Sequence, residues 1–131
     1  AVHIFCHKHL AYPFETEGKD DWMGRHFFTG GIMPSFYLLL NFQEHLVLED
    51  RWAVSGIHYA RTLEDWLRKC DARRGELLPL FQSDLGPAEG KLQFQRWRMF
   101  FMACAELFAY RDAKEWFVAH YLFSKRQLEQ E

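Results

Sequence analysis

Gly56-Ile57-His58-Tyr59-Ala60-Arg61-Thr62-Leu63-Glu64-Asp65-Trp66-Leu67 is the stretch from which the rest of the chain can be read. Upstream of it, Leu46 to Val54 alternates like a strand, with Leu46, Leu48, Asp50, Trp52 and Val54 on one side. Ser55-Gly56 breaks that pattern. Downstream, Leu63, Trp66, Leu67 and Cys70 recur at i, i+3, i+4 and i+7, which predicts a helix over about residues 59 to 74. Thr62 and Asp65 have the spacing of a capping box, with Asp in place of Glu or Gln. A strand turning sharply into a helix exposes side chains and backbone donors, a good position for a site. Spacing alone supports the plainer reading, in which Tyr59 and Trp66 pack at a corner.

Residues 2 to 7 read as a strand that is apolar on both sides, suited to the interior of a mixed sheet. His3, His7 and His9 share a parity, a spacing seen at metal sites. No carboxylate is interleaved and Pro13 follows soon after, so no metal site is expected. Residues 10 to 33 are loop-like, with Glu15, Glu17, Asp20 and Asp21 in solvent. Trp22, Phe27 and Phe28 interrupt that polarity, and a long loop carrying rings should fold over a pocket. Gly30-Gly31 lies in neither a Walker pattern nor a GxGxxG. Met33-Pro34-Ser35 suits a helix start, and Phe36 to His45 is apolar on most sides, which predicts a covered helix.

Beyond the central stretch, Leu77 to Phe81 reads as an apolar turn around Pro79. Leu92, Trp97, Phe100, Phe101, Cys104, Leu107 and Phe108 predict a long helix over about 88 to 109. Arg96 and Arg98 flank Trp97 and should face solvent or a carboxylate. Glu106 is the one acid in the apolar part of this helix. It reads either as an ion pair or surface position, or as a contact for a substrate ammonium. Residues 110–114 make a turn, and residues 115 to 125 alternate with apolar groups on both faces, which predicts a central strand. The tail 127–131 is polar and expected to fray.

The 131 residues suit one domain, and an aromatic content of 18%, with thirteen Phe and five Trp, predicts a ring-rich core or pocket. A net charge of −2 with no Lys/Arg run argues against nucleic acid. The three cysteines form neither a disulfide framework nor a CxxC pair and read as free thiols of a reducing, cytoplasmic compartment. Apolar runs are far short of a membrane span. Ala1 to Cys6 is already strand-like with no preceding turn, so the chain reads as the later part of something longer.

Several words of the sequence, spread over nearly its whole length, resemble one known family. They include Phe5-Cys6-His7-Lys8, Asp20-Asp21-Trp22, Phe27-Phe28-Thr29-Gly30-Gly31, Met33-Pro34-Ser35, His58-Tyr59-Ala60-Arg61-Thr62, Trp97-Arg98 and Ala105-Glu106-Leu107-Phe108. The chain resembles the C-terminal half of methyltransferases of the cyclopropane-fatty-acid synthase superfamily, in the branch of coclaurine N-methyltransferase. The resemblance implies an α/β fold, the end of a Rossmann-like class I methyltransferase sheet. It would hold three strands, three or more helices and the acceptor-binding portion of the domain. The N-terminal portion that binds S-adenosylmethionine would be absent, leaving this piece inactive alone and unable to hold the cofactor tightly.

The same resemblance places Tyr59 and Trp97 in an amine pocket, where rings attract a cationic substrate. It also places His3 and Tyr59 where cyclopropane synthases bind a bicarbonate base. The expected acceptor is a small amine or, by the wider superfamily, an unsaturated acyl phospholipid that becomes a cyclopropane, with peripheral membrane contact. The alternative is a non-catalytic module that binds a ligand or partner in the same pocket. An unpaired edge at residues 2–7 would favour self-association.

Overall fold

A computed structural model describes residues 1–126; the tail 127–131 lies outside the described residues. The fold is α/β. Strands β1 (Val2–His7), β4 (Leu46–Val54) and β5 (Trp116–Lys125) form one antiparallel sheet in the order β1-β5-β4. The doubly apolar β5 takes the centre, while β4, with Glu49, Asp50 and Arg51 and an irregularity between Leu48 and Asp50, takes an edge. Among the described residues β1 pairs along its length with β5, and its last residue, His7, makes a further parallel bridge to Ser35.

Alternation along β5 feeds two cores. Phe117, Ala119 and Tyr121 face one way and join Cys6 of β1, covered by Phe36, Leu39 and Leu40. On the opposite face Trp116 meets α2 (Gly56–Ala72) and α4 (Pro87–Ala113), which contribute Ala60, Leu63, Cys104 and Phe108. Between the strands lie β2 (Tyr12–Pro13), α1 (Trp22–His26), β3 (Ile32–Met33) and α3 (Arg74–Leu85). β2 and β3 pair with each other, so the 10–33 segment is a small folded strap, not a plain loop.

The helix expected at 36–45 is not formed; only a four-residue 3-10 turn, Leu38–Asn41, is present. The backbone there is engaged elsewhere. His7 N donates to Pro34 O, Phe36 N donates to His7 O, and both at 2.9 Å tie the segment to the end of β1. Phe36 O, which a helix would offer to residue 40, accepts instead from the Tyr121 hydroxyl at 2.8 Å and from Arg51 at 3.3 Å. The Arg51 guanidinium also lies over the rings of Phe36 and Tyr37, at 4.2 and 4.6 Å.

Helix α2 begins earlier than expected, at Gly56, with Ser55 as its cap: the Ser55 hydroxyl accepts from Ile57 N at 3.4 Å. Thr62 therefore caps nothing. It sits inside the helix, its hydroxyl donating to His58 O at 3.0 Å. Trp66 is 43% exposed, and the buried stripe of α2 runs through Gly56, Ala60, Leu63 and Cys70. The apolar turn expected at 77–81 is part of α3, which carries Pro79 internally.

Helix α4 is regular to Ala109. Tyr110, Arg111 and Asp112 then leave helical geometry and turn the chain into β5, as the sequence predicted. Arg98 reaches back to α2, with two bonds to the Asp71 carboxylate at 2.5 and 3.1 Å, and Arg96 meets Glu89 at 2.8 Å. Both arginines that flank Trp97 thus face carboxylates.

Candidate functional site

The strap 12–33 lies over the helix-covered face of the sheet, and a partly open apolar cavity of about 90 Å³ remains beneath it. Its walls come from every layer: Phe5 of β1, Tyr12 and Phe28 of the strap, Tyr59 of α2, and Cys104 and Leu107 of α4. The strap's own rings make the roof. Phe28 stacks on Phe14 at 5.0 Å and meets Phe5 at 5.9 Å and Phe100 at 5.7 Å. Gly24 lets α1 descend onto this roof: a Cβ there would stand 2.1 Å from Glu15 O, a contact no side chain tolerates.

Tyr59 enters from the first turn of α2, its ring 4.6 Å from Phe108. Burial, and behind it the proximity of the ionisable Cys104 thiol, push its hydroxyl up from the ordinary value. Burial pushes the Cys104 thiol up to about 12. Both groups are therefore neutral near pH 7 and line the cavity without acting as a phenolate or thiolate.

Trp97 does not line the cavity; it backs it. Its ring meets Phe27 at 5.0 Å and Phe100 at 5.6 Å, and Phe27 stacks on Phe100 at 4.3 Å. A second path, through Phe101 and Trp66, joins Trp97 to Tyr59. Tyr59 and Trp97 thus belong to one continuous set of rings, at opposite ends of it.

Glu106 is exposed on α4, on the lip of an open apolar groove of about 730 Å³ that also takes in Met99, Met102, Tyr110 and Trp116. Leu107 belongs to both the groove and the cavity, so the two are neighbours. The wall between them includes a hydrogen bond from Trp116 Nε1 to the Tyr12 hydroxyl, 3.1 Å long and spanning most of the chain. Sequence reading missed both partners, because their pairing has no local signature. The one available hint was the Tyr12-Pro13-Phe14 word, two rings around a proline at the start of a strap.

His3 lies elsewhere. It pairs with His120 across the sheet, ring centroids 4.5 Å apart, and is exposed. Among the described residues no hydrogen bond or ring contact joins it to Tyr59.

The described residues do not fit an S-adenosylmethionine cradle. The strand–turn–helix corner at Ser55-Gly56 is filled by protein: a Cβ at Gly56 would stand 2.3 Å from both Phe108 O and Trp116 O. Gly30-Gly31 closes a turn under the strap, Gly31 N donating to Phe28 O at 2.9 Å, with Phe14 against Gly31.

No protein-family model matches the chain. Among curated proteins it is 35% identical over 129 residues to (S)-coclaurine N-methyltransferase of Thalictrum flavum subsp. glaucum, covering 95% of this chain and 36% of that protein. The Papaver somniferum enzyme of the same name is also 35% identical, with the same coverage. Pavine N-methyltransferase of Thalictrum flavum subsp. glaucum is 32% identical, again over 95% of this chain and 36% of its own length. The chain thus spans about a third of the length of the curated relatives it matches. A crystal structure of coclaurine N-methyltransferase bound to N-methylheliamine and SAH superposes with a TM-score of 0.83 at 34% identity, covering 93% of this chain and 38% of that one.

Proposed function

We propose, from a chain that shares sequence and fold with coclaurine-type N-methyltransferases over nearly its whole length, that it is the acceptor-binding part of a methyltransferase acting on small amines. The observation that carries this reading is the ring-walled cavity under the strap, next to an apolar groove with a carboxylate on its lip. The bound SAH in the solved relative points to S-adenosylmethionine as methyl donor. Residues outside this chain would hold it: the Gly56 corner is filled by protein, and Gly30-Gly31 lies between α1 and β3 of the strap, not in a loop leading from a strand into a helix.

The chain's own residues would bind and orient the acceptor. Aromatic faces attract an ammonium or a nitrogen on its way to becoming one, by about 0.5–2 kcal/mol per well-placed ring. Tyr59 offers such a face inside the cavity, Trp97 stiffens the ring set behind it, and Glu106 draws cations to the groove. An apolar, ring-lined wall limits water and orients the nitrogen's approach, which is most of what an in-line methyl transfer asks of a protein. Relatives named for amine methylation favour an amine over an acyl lipid.

The test is an assay of the intact protein with S-adenosylmethionine, offered small aryl amines and, separately, unsaturated phospholipids. N-methylated product is expected, with Tyr59→Ala raising the KM for the amine about tenfold. Cyclopropanated lipid without N-methyl product would refute the amine reading. Amine binding without any transfer would refute the enzyme reading in favour of a binding module.

A further inference from the structure

His7 does not line the cavity, but its ring lies against Trp116, whose indole bonds to the cavity residue Tyr12. His7 is 6% exposed, at the last residue of β1. Its Nδ1 accepts two backbone bonds, from His9 N at 3.0 Å and Leu10 N at 2.8 Å. Two donors aimed at Nδ1 leave no room for a proton there, so the ring N–H is on Nε2. That nitrogen faces Glu115 Oε2 at 3.2 Å. Glu115 is tied in twice more: its backbone oxygen accepts from Lys8 N at 2.9 Å, and Oε1 meets Arg111 at 3.2 Å. The next residue, Trp116, lies against the His7 ring with centroids 5.0 Å apart and donates to the Tyr12 hydroxyl.

We propose that His7, held as the Nε2–H tautomer, is a positioning residue for the acceptor: it joins the turn entering the strap to the α4–β5 junction and so fixes the Trp116–Tyr12 wall between cavity and groove. This rests on the amine-methyltransferase reading for its functional consequence, but the geometry stands without it. A single imidazole serves two anchors at different distances from Cβ. Asn can present an acceptor near the Nδ1 position but does not reach Glu115. Gln reaches Glu115 with an N–H but offers no acceptor at the Nδ1 position. The two substitutions therefore separate the anchors.

The experiment uses the intact protein and N-methylheliamine, with SAH present, measured by calorimetry, alongside amine kinetics and imidazole 15N spectra. The wild-type spectrum should show His7 with Nε2 protonated and Nδ1 bare. His7→Gln leaves two backbone donors without partners and should weaken binding and raise KM about tenfold, with kcat changed less than about threefold. His7→Asn should restore affinity to within about threefold of wild type, because it keeps the turn. The Trp116 indole N–H resonance should move in His7→Gln and return in His7→Asn.

A His7 spectrum with Nδ1 protonated, or a His7→Gln protein that binds as wild type does, would overturn the proposal. Failure of the wild-type protein to bind N-methylheliamine would count against the amine reading. The His7 proposal would then stand or fall on the Trp116 resonance: moved by Gln and restored by Asn supports it, unmoved by Gln overturns it. Should His7→Gln not fold, Glu115→Gln tests the second anchor. It keeps an acceptor for Nε2–H and should preserve the wild-type tautomer; a change to the Nδ1–H form would overturn the assignment.

Discussion

Replacing Gly56 with Ala is a severe change for one methyl group. The new Cβ would stand 2.3 Å from Phe108 O and 2.3 Å from Trp116 O, one from α4 and one from the start of β5. Ordinary carbon contacts begin near 3.5 Å, so α2 must retreat by about 1 Å from two backbones at once. Overpacking of this kind costs about 1–3 kcal/mol, and rigid main chain on both sides puts this case at the upper end. Alanine returns up to about 1 kcal/mol through helix propensity and a less flexible unfolded chain. The net is a loss of about 2 kcal/mol, or a fall in Tm of about 6–8 °C for a chain of this size.

Thermal unfolding followed by circular dichroism measures this directly. Gly75→Ala is the control: it lies in the first turn of α3 with nothing within 4 Å of the added Cβ. It should raise stability by up to about 1 kcal/mol. Tyr59 follows Gly56 by less than one helical turn, so Gly56→Ala should also weaken amine binding by displacing that ring. A Gly56→Ala protein as stable as wild type would refute the packing argument, whatever its activity.

Two further outcomes follow from charge and burial. The Arg98 hydrogen bonds hold the Asp71 carboxyl below its usual range. A folded-state value below the unfolded one gives stability that is present above about pH 4 and lost as pH falls. Asp71→Asn should therefore cost less than about 1 kcal/mol at neutral pH, as befits a half-exposed pair, and nothing in strong acid. Acid and neutral urea melts of the two proteins would check this; an undiminished gap in acid would contradict it. Burial pushes the thiols of Cys6 and Cys104 up to about 12. A thiol reagent at mildly alkaline pH should leave both unmodified until the protein is denatured, and rapid labelling of either in the native state would contradict their burial.

The sheet was legible because its signals are local. Alternation marked β4 and β5, and the doubly apolar pattern of β5 foretold its central place. The end of α4 near Ala109 was also visible, in the polar run that follows it. What escaped was set by distant partners. Residues 36–45 carry enough apolar groups for a buried helix, but His7, Tyr121 and Arg51 claim the backbone that a helix would use. Pro79 suggested a turn, yet it sits inside α3, where it forgoes one backbone bond to residue 75.

The site divides in the same way. Tyr59 and Trp97 could be singled out from the family resemblance, and Glu106 as the one acid in the apolar part of its helix. The structure sets Tyr59 in the cavity wall, Trp97 behind it and Glu106 on the outer lip. His3 was singled out by the resemblance to cyclopropane synthases, and the bonds that organise the end of β1 belong to His7. A single sequence carries no mark of a bond such as that between Tyr12 and Trp116.

The strap supplies the roof of the cavity but little of the sheet's own core, which closes on its other face around Tyr121 and Phe36. Changes of shape at Phe14 or Phe28 can therefore be absorbed without loosening the strands beneath. A lineage in need of a wider or narrower chamber would find its freedom there, and variants selected for new ligands should gather in that short span while β5 stays as it is.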